Sequence, residues 1–182
     1  EMTLETDWSE LEGMVLMNHG LFTFSDDARS SYDAMIQLVS EAEMEIGTRT
    51  TRAVVSTELC TLDLARLRSA VSHSAGFPML ARIDQSDASQ DFTARSNVTD
   101  IATRGPLTPD HVIRTKRVPL IVEGDFTESL ARYTQDYEDY FVRHSSDHHT
   151  RLDSAPRWAV WPGHGTVAFG RSLKDLYVVR DI

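Results

Sequence analysis

The spacing of hydrophobic and polar positions changes along this chain, and each change marks a predicted element. Near the start, "MVLMN" and "LFTF" are rich in large and β-branched residues and are separated by His19-Gly20, so two strands joined by a tight reversal are predicted. The cluster Ser25-Asp26-Asp27 then precedes apolar residues at helical spacing, with acidic residues on the opposite face. This pattern predicts a capped helix over residues 28–46 that stops at Gly47.

Strand and helix patterns continue to alternate through the middle of the chain. "PMLARID" and "PLIVEG" are predicted strands, whereas "TRAVVSTE" fits either a short strand or a linker. Further helices are predicted over residues 62–74, 87–94, 97–103, 128–144 and, for one or two turns, from Pro109. The alternation predicts an α/β protein with a mixed central sheet between helices, in three αβα layers.

The last segment, "RWAVWPGHGTVAFGRSLKDLYVVRDI", repeats the opening order of strand, His-Gly, strand, cap and helix. Placing His164-Gly165 over His19-Gly20 also aligns Val167 with Phe22, Phe169 with Phe24, Gly170 with Ser25 and Tyr177 with Tyr32. Both an internal duplication and a chance similarity account for this agreement. Under duplication, residues 1–50 are the end of one unit and residues 51–182 are an altered second unit, packed either separately or as one domain.

Composition and charge restrict the partners of the protein. The net charge is −10, with 28 acidic against 18 basic residues, which argues against nucleic-acid and anionic-membrane surfaces. Cys60 is the single cysteine, so no internal disulfide is expected, and no apolar run reaches the roughly 20 residues that span a bilayer. We therefore expect a cytoplasmic protein. The helical pattern continues to Ile182, which indicates a fragment of a longer chain.

Two sets of motifs resemble known proteins. The stretch "NHGLFTF" followed by "DARSSYDAMIQLVSEAE" resembles the class II aldolase/adducin family. "ATRGPLTPDHVIRTKRVPLIV" and "LDSAPRWAVWPGHGTVAFGRSLKDLYVVRDI" are similar to the middle region of bifunctional proteins in which a rhamnulose-1-phosphate aldolase-like region precedes a short-chain dehydrogenase region. The chain departs from the family pattern at His164, where an apolar residue is usual, and at Ser25, where glycine is usual.

The resemblance implies a metal-dependent lyase. It implies that His19 is one of three ligands to a divalent metal, usually zinc, and that the other ligands and the catalytic glutamate lie upstream, so no catalytic residue is assigned here and the fragment alone is expected to be inactive. The whole protein would be a homo-oligomer that cleaves a phosphorylated ketose to dihydroxyacetone phosphate and an aldehyde. NAD would enter only through the dehydrogenase region, whose Gly-x-Gly-x-x-Gly and Tyr-x-x-x-Lys motifs are missing from this sequence. Adducin offers the alternative of a non-catalytic scaffold or oligomerisation module.

Other polar residues suggest weaker candidates. His111, Arg114 and Lys116 lie on or beside a short helix and form a candidate anion site, although a structural histidine among surface charges is the preferred interpretation. His164 is the counterpart of the metal position in the second unit, or else a structural turn residue. His148-His149 is interpreted as a solvated loop. The aromatic residues of the 128–144 helix are interpreted as core, and the two late tryptophans as packing or interface residues: Tyr133, Tyr137, Tyr140, Phe141, Trp158 and Trp161.

Overall fold

The computed structural model describes residue 7 and residues 11–17, 19–47 and 61–182. The chain divides into two compact units, Glu1–Arg52 with Leu107–Pro109, and Ala53–Pro106 with Asp110–Ile182. Each unit is described by itself below. The predicted "TRAVVSTE" element lies outside the described residues.

The first unit contains a hairpin and one long helix. Strands β1 (Gly13–Leu16) and β2 (Gly20–Thr23) pair antiparallel, and helix α1 spans Ala28–Gly47, which confirms the predicted order of elements. The side chain of Asp27 accepts a hydrogen bond from the Ser30 amide at 2.9 Å and so satisfies the helix N-terminus. The Ser31 hydroxyl donates to the carbonyl oxygen of Thr23 at 3.0 Å, which ties the first turn of α1 to β2.

The apolar stripe of α1 is less buried than its period predicts. Ala34, Met35 and Leu38 are half-buried. A two-stranded hairpin offers too little surface to cover a 20-residue helix. The rest of the stripe is therefore largely exposed, at Tyr32, Ile36, Val39, Met44 and Ile46.

The second unit is built on a four-stranded mixed sheet. Its strands are β3 (Leu80–Asp84), β4 (Leu120–Ile121), β5 (Trp158–Trp161) and β6 (Gly165–Gly170), in the order β3-β6-β5-β4. The β4–β5 pair is parallel, and the other two pairs are antiparallel. The predicted mixed sheet is confirmed, although β4 is shorter than "PLIVEG".

The helices of the second unit occur in the predicted order, and the four whose two ends are predicted match to within two residues at each end. They are α2 (Thr61–Ala75), α3 (Asp87–Thr93), α4 (Val98–Ala102), α5 (Val112–Thr115), α6 (Phe126–His144) and α7 (Leu173–Asp181). A 3-10 turn, Pro109–His111, precedes α5. Helix α6 begins two residues earlier than predicted because the Asp125 carboxylate accepts from the amides of Thr127 and Glu128 at its start.

Alternate residues of the central strands bury against different helices. Ala159, Val167 and Phe169 share a core with residues of α2 and α6, including Leu67 and Leu130. On the opposite face, Val160 packs with Val98 and Ala102 of α4, and Ala168 packs with Leu176 and Val179 of α7. Because strand side chains alternate between faces, the helices lie on both sides of the sheet, and the three-layer αβα prediction is confirmed. None of the described helices combines the length and apolar character of a bilayer crossing.

Candidate functional site

The two hairpins have the same backbone geometry. Leu16 pairs with Gly20 and the His19 amide donates to the Leu16 carbonyl at 3.0 Å. In the second hairpin, Trp161 pairs with Gly165 and the His164 amide donates to the Trp161 carbonyl at 2.9 Å. Each strand pair of β1–β2 has a counterpart in β5–β6 at the spacing that separates His19 from His164.

The helix starts obey the same spacing. Helix α1 begins at Ala28 after the cap Asp27, and α7 begins at Leu173 after the cap Ser172, whose hydroxyl accepts from the Asp175 amide at 3.1 Å. Gly20 and Gly165 both have positive φ, at +146° and +125°. The shared register, reversal and cap support the duplication interpretation more strongly than the His-Gly pair alone.

His19 lies at the exposed reversal between β1 and β2. Its ring stacks on Phe22 with 5.7 Å between the ring centres. Within the described ranges there is no group of three His, Cys, Asp or Glu residues that could hold a metal ion. The described residues therefore do not complete a metal site at His19, and its role as a ligand stays a prediction that depends on residues outside them.

His164 is held in a more crowded place. Its half-buried ring meets Trp161 edge-on, with 5.2 Å between ring centres, and its buried Nδ1 has no hydrogen-bond partner within the part of the chain described. The adjacent Gly165 packs so closely on β3 that a Cβ there would lie 2.1 Å from the Asp84 carbonyl oxygen. No set of metal ligands surrounds His164 in the described ranges, so its role as counterpart of the metal position also stays a prediction.

A cavity of about 440 Å³ lies in the second unit, beside β4 and helix α6. Its apolar wall includes Val118, Leu120 and Ile121. Three tyrosines of α6, at i, i+4 and i+7, also line it: Tyr133, Tyr137 and Tyr140. The helical spacing of these tyrosines predicts that they are core residues, and Tyr133 does belong to the core. All three tyrosines also line the cavity.

Lys116 brings a cationic side chain to this cavity. It is only 6% exposed, its Nζ donates to the backbone carbonyl of Asp153, and Nζ lies 4.0 Å from the centre of the Tyr137 ring. Burial is the largest effect on its pKa and, together with repulsion from Arg157, lowers it to about 7, against the opposing attraction of Asp153. Lys116 is therefore poised between its charged and neutral forms near neutral pH.

The backbone at Lys116 explains how the side chain reaches the cavity. Lys116 directly follows α5, a position that often holds glycine, and its amide donates to the Val112 carbonyl at 3.0 Å. Its φ of 59° and ψ of −179° lie in a region that is nearly restricted to glycine. Within the described ranges it is the one residue other than glycine with positive φ. The backbone of Lys116 is therefore held in a strained conformation.

Asp153 does not neutralise Lys116 through its carboxylate, because that carboxylate binds Arg157. Two hydrogen bonds join the groups, at 2.8 and 2.6 Å, and both side chains are more than four-fifths buried. Burial raises the pKa of Asp153, but the hydrogen bonds from Arg157 and the charges of Arg157 and Lys116 lower it by more. Asp153 is consequently ionised, and Lys116 is left with a neutral carbonyl partner.

The three residues of the predicted anion site are not all brought together at the cavity. Lys116 lines it, whereas His111 and Arg114 do not. His148 and His149 are exposed, and His149 Nδ1 accepts from the Ser146 amide at 3.0 Å within a local turn. The composition alone sets Lys116 apart, because the chain has 16 arginines and only two lysines, Lys116 and Lys174.

Comparison with known proteins gives the family. Residues 58–182 match the family model described as "Aldolase class II, second domain". The chain belongs to this family. The resemblance of its motifs to class II aldolases is thereby confirmed, and the second domain covers the whole described αβα unit.

One relative places the second domain in a longer protein. The chain is 28% identical over 185 residues to the "Uncharacterized oxidoreductase YuxG" of Bacillus subtilis (strain 168). The alignment covers 87% of this chain and 27% of that protein. The chain thus spans about a quarter of the length of this relative. No solved structure matches the chain.

Proposed function

We propose that this chain is part of a class II aldolase that cleaves a phosphorylated ketose, of the rhamnulose-1-phosphate type, to dihydroxyacetone phosphate and an aldehyde. The observation that carries the proposal is the shared register of the two hairpins, one of which lies inside the second-domain match. On this proposal, residues 1–50 end a first aldolase-like domain, and residues 51–182 form a second, altered one.

The proposal includes a fused dehydrogenase. The named oxidoreductase relative is much longer than this chain, which supports further domains in the whole protein. NAD would bind to that dehydrogenase region. A sugar phosphate substrate and a homo-oligomer, both supported by the aldolase family, belong to the proposal, as does a cytoplasmic location.

A divalent metal fits the family better than it fits the described residues. Class II aldolases are generally dependent on divalent metals, and we infer zinc with His19 as one ligand. Because the described ranges offer no three-ligand group, the remaining ligands must come from sequence outside them.

The test compares two matched histidine variants of the whole protein. His19→Ala is expected to lose bound metal, measured by elemental analysis, together with the release of dihydroxyacetone phosphate from rhamnulose 1-phosphate. His164→Ala changes the equivalent reversal of the other hairpin and is expected to retain both. Metal and cleavage activity that survive in His19→Ala would refute the ligand role.

A second candidate function is a non-catalytic scaffold or oligomerisation module. In this alternative His19 is a structural residue, a role compatible with the stacking of its ring on Phe22. It predicts that the whole protein shows neither stoichiometric metal nor aldol cleavage, and that deleting residues 58–182 changes its oligomeric state in analytical ultracentrifugation.

A further inference from the structure

We propose that Lys116 is a covalent binding site for a small aldehyde or ketone that also carries an anionic group. Its amine would add reversibly to the carbonyl carbon of a ligand held in the cavity beside α6. The site belongs to the second domain alone, so it does not depend on a metal at His19.

The cavity has the size and lining of a small-molecule site. Its volume of about 440 Å³ lies within the range of roughly 300–1,000 Å³ that ligand pockets occupy. Of the described lining residues, nine are aliphatic or tyrosine and eight are polar, among them the acidic Glu123 and Asp136. Such a wall provides apolar contacts for a bound ligand and places Lys116 beside it as the nucleophile.

The arrangement around Lys116 is poorly suited to a structural ion pair. Among the described residues Lys116 makes no salt bridge, and the nearby carboxylate of Asp153 is occupied by Arg157. A buried cation without a carboxylate partner is costly. Elsewhere this chain uses arginine for almost all its cations, with only two lysines among 18 basic residues. Lysine differs from arginine in being able to lose its proton and react as an amine.

Backbone strain supports the same assignment. The conformation of Lys116 is strained for a residue with a side chain, and such strained conformations are concentrated at ligand sites. Glycine would adopt it freely, yet glycine would bring no amine to the cavity. This backbone conformation therefore places a reactive amine where a bound ligand can contact it.

The surroundings of Lys116 favour a neutral amine. Burial first, and repulsion from Arg157 second, lower its pKa to about 7, so about half of the side chain is unprotonated at that pH. The groups around it are the Tyr137 ring and the cavity neighbour Tyr133 from α6, and Asp153 and Arg157 from the segment before β5. An ordinary lysine, with a pKa of about 10.4, is almost wholly protonated there.

The chemistry balances without another reactant. The Nζ lone pair forms a C–N bond to the carbonyl carbon, and the amine gives one proton to the carbonyl oxygen to produce a carbinolamine. Loss of water then gives the imine, and addition of water reverses the sequence. No oxidant or reductant is consumed.

The wall holds three cationic residues against two acidic ones, Glu123 and Asp136, and its two arginines give the preference for an anionic ligand. Arg117 packs over the Tyr140 ring, 5.1 Å from its centre, and makes no salt bridge within the described part of the chain. Arg132 lies 3.7 Å from the Glu123 carboxylate, and both side chains are more than half exposed, so this contact is weak. A phosphate or carboxylate on the ligand would therefore find a cation at the cavity wall.

The test traps the imine in the full 182-residue chain with glycolaldehyde phosphate and cyanoborohydride, and locates the label by peptide mass spectrometry. Lys174 is the internal control because it is the only other lysine and is exposed. At pH 7, we expect Lys116 to be labelled at least about tenfold faster than Lys174, because its neutral fraction is far larger. The rate should saturate with probe concentration and should exceed that of uncharged glycolaldehyde.

The remaining outcomes are decisive. Lys174→Arg should retain the labelling, and Lys116→Arg should abolish it. The wild-type peptide map is itself sufficient if Lys116→Arg fails to fold. Label confined to Lys174 and the N-terminal amine, equal rates at the two lysines, or a rate that rises linearly without saturation would overturn the site. Equal rates for the charged and uncharged aldehydes would overturn the anionic preference.

Discussion

Nζ of Lys116 lies over the face of Tyr137, 4.0 Å from the ring centre, inside a largely apolar cavity. The ring stabilises the protonated form, while burial disfavours it. The charge state of Lys116 is thus set by a balance that single substitutions can shift.

Removing the ring should lower the pKa of Lys116 further. We expect Tyr137→Leu to lower it by roughly half a unit to one unit, which corresponds to a cation–π contribution of about 1 kcal/mol. Tyr137→Phe retains the ring and should leave it nearly unchanged. Carbon-13 labelling of the lysine side chains gives two NMR signals, and Lys174→Arg identifies which belongs to Lys116. Equal titration of the Leu and Phe variants would show that the ring does not contribute.

The stability of the second unit should increase from pH 7 to pH 9. Lys116 has a lower pKa in the folded than in the unfolded chain, so the unfolded state binds more protons over this range and unfolding becomes less favourable. The expected gain in the free energy of unfolding is about 2 kcal/mol, measured by urea denaturation. Lys116→Met should show no comparable rise, and parallel curves for the two proteins would contradict the lowered pKa.

Above pH 10 the trend should reverse. Burial raises the pKa of Tyr133, so this phenol stays protonated in the folded state while it ionises in the unfolded chain. The unfolded state then loses protons that the folded state keeps, and the free energy of unfolding decreases. Tyr133→Phe should lessen this decrease in the same urea titration.

Two substitutions at Lys116 separate the effect of its backbone conformation on stability from the effect of its side chain. Lys116→Gly and Lys116→Ala both remove the amine, but only glycine adopts a φ of 59° and a ψ of −179° without strain. We expect the Gly variant to be more stable than the Ala variant by about 1–2 kcal/mol. This order is the reverse of that in a helix interior. An Ala variant as stable as the Gly variant would show that the loop relaxes to an ordinary conformation.

Gly165 should tolerate no side chain. Gly165→Ala would place its Cβ 2.1 Å from the Asp84 carbonyl oxygen, so the β3–β6 pair must move apart, and a loss of about 3 kcal/mol or more is expected. Gly124→Ala, at φ +63° with no atom within 4 Å, should cost only about 1 kcal/mol. Thermal denaturation of both variants measures the difference, and equal losses would mean that conformation rather than space dominates at Gly165.

Much of the fold could be predicted because the spacing of apolar residues and the residues that cap helices are local features of the sequence. The spacing of its tyrosines predicts α6, but it predicts the start two residues late because Phe126 and Thr127 do not extend the apolar period. The carboxylate of Asp125 fixes the actual start. The exposure of Ile36 and Val39 could not be predicted, since the surface available to a helix depends on tertiary packing.

The candidate site was only partly predictable for a similar reason. Neighbouring charges make Lys116 an anion-site candidate, yet its burial and its contact with Asp153 depend on segments that are distant in sequence. The grouping with His111 and Arg114 came from adjacency on a short helix, which says little about which side chains face a cavity. The matching hairpin positions of His19 and His164 are predictable from the sequence because both ends of each hairpin lie close together in sequence.

The order of the strands also bears on how the second unit folds. β5 and β6 join through a tight reversal, whereas β3 pairs with β6 through contacts such as Leu80 with Gly170, which enclose β4, β5 and α6 in one long loop. Contacts between residues distant in sequence form late because closing a long loop costs chain entropy. The β5–β6 hairpin is therefore expected to assemble early, and docking of β3 beside it, with Gly165 against Asp84, should be the event that limits the folding rate.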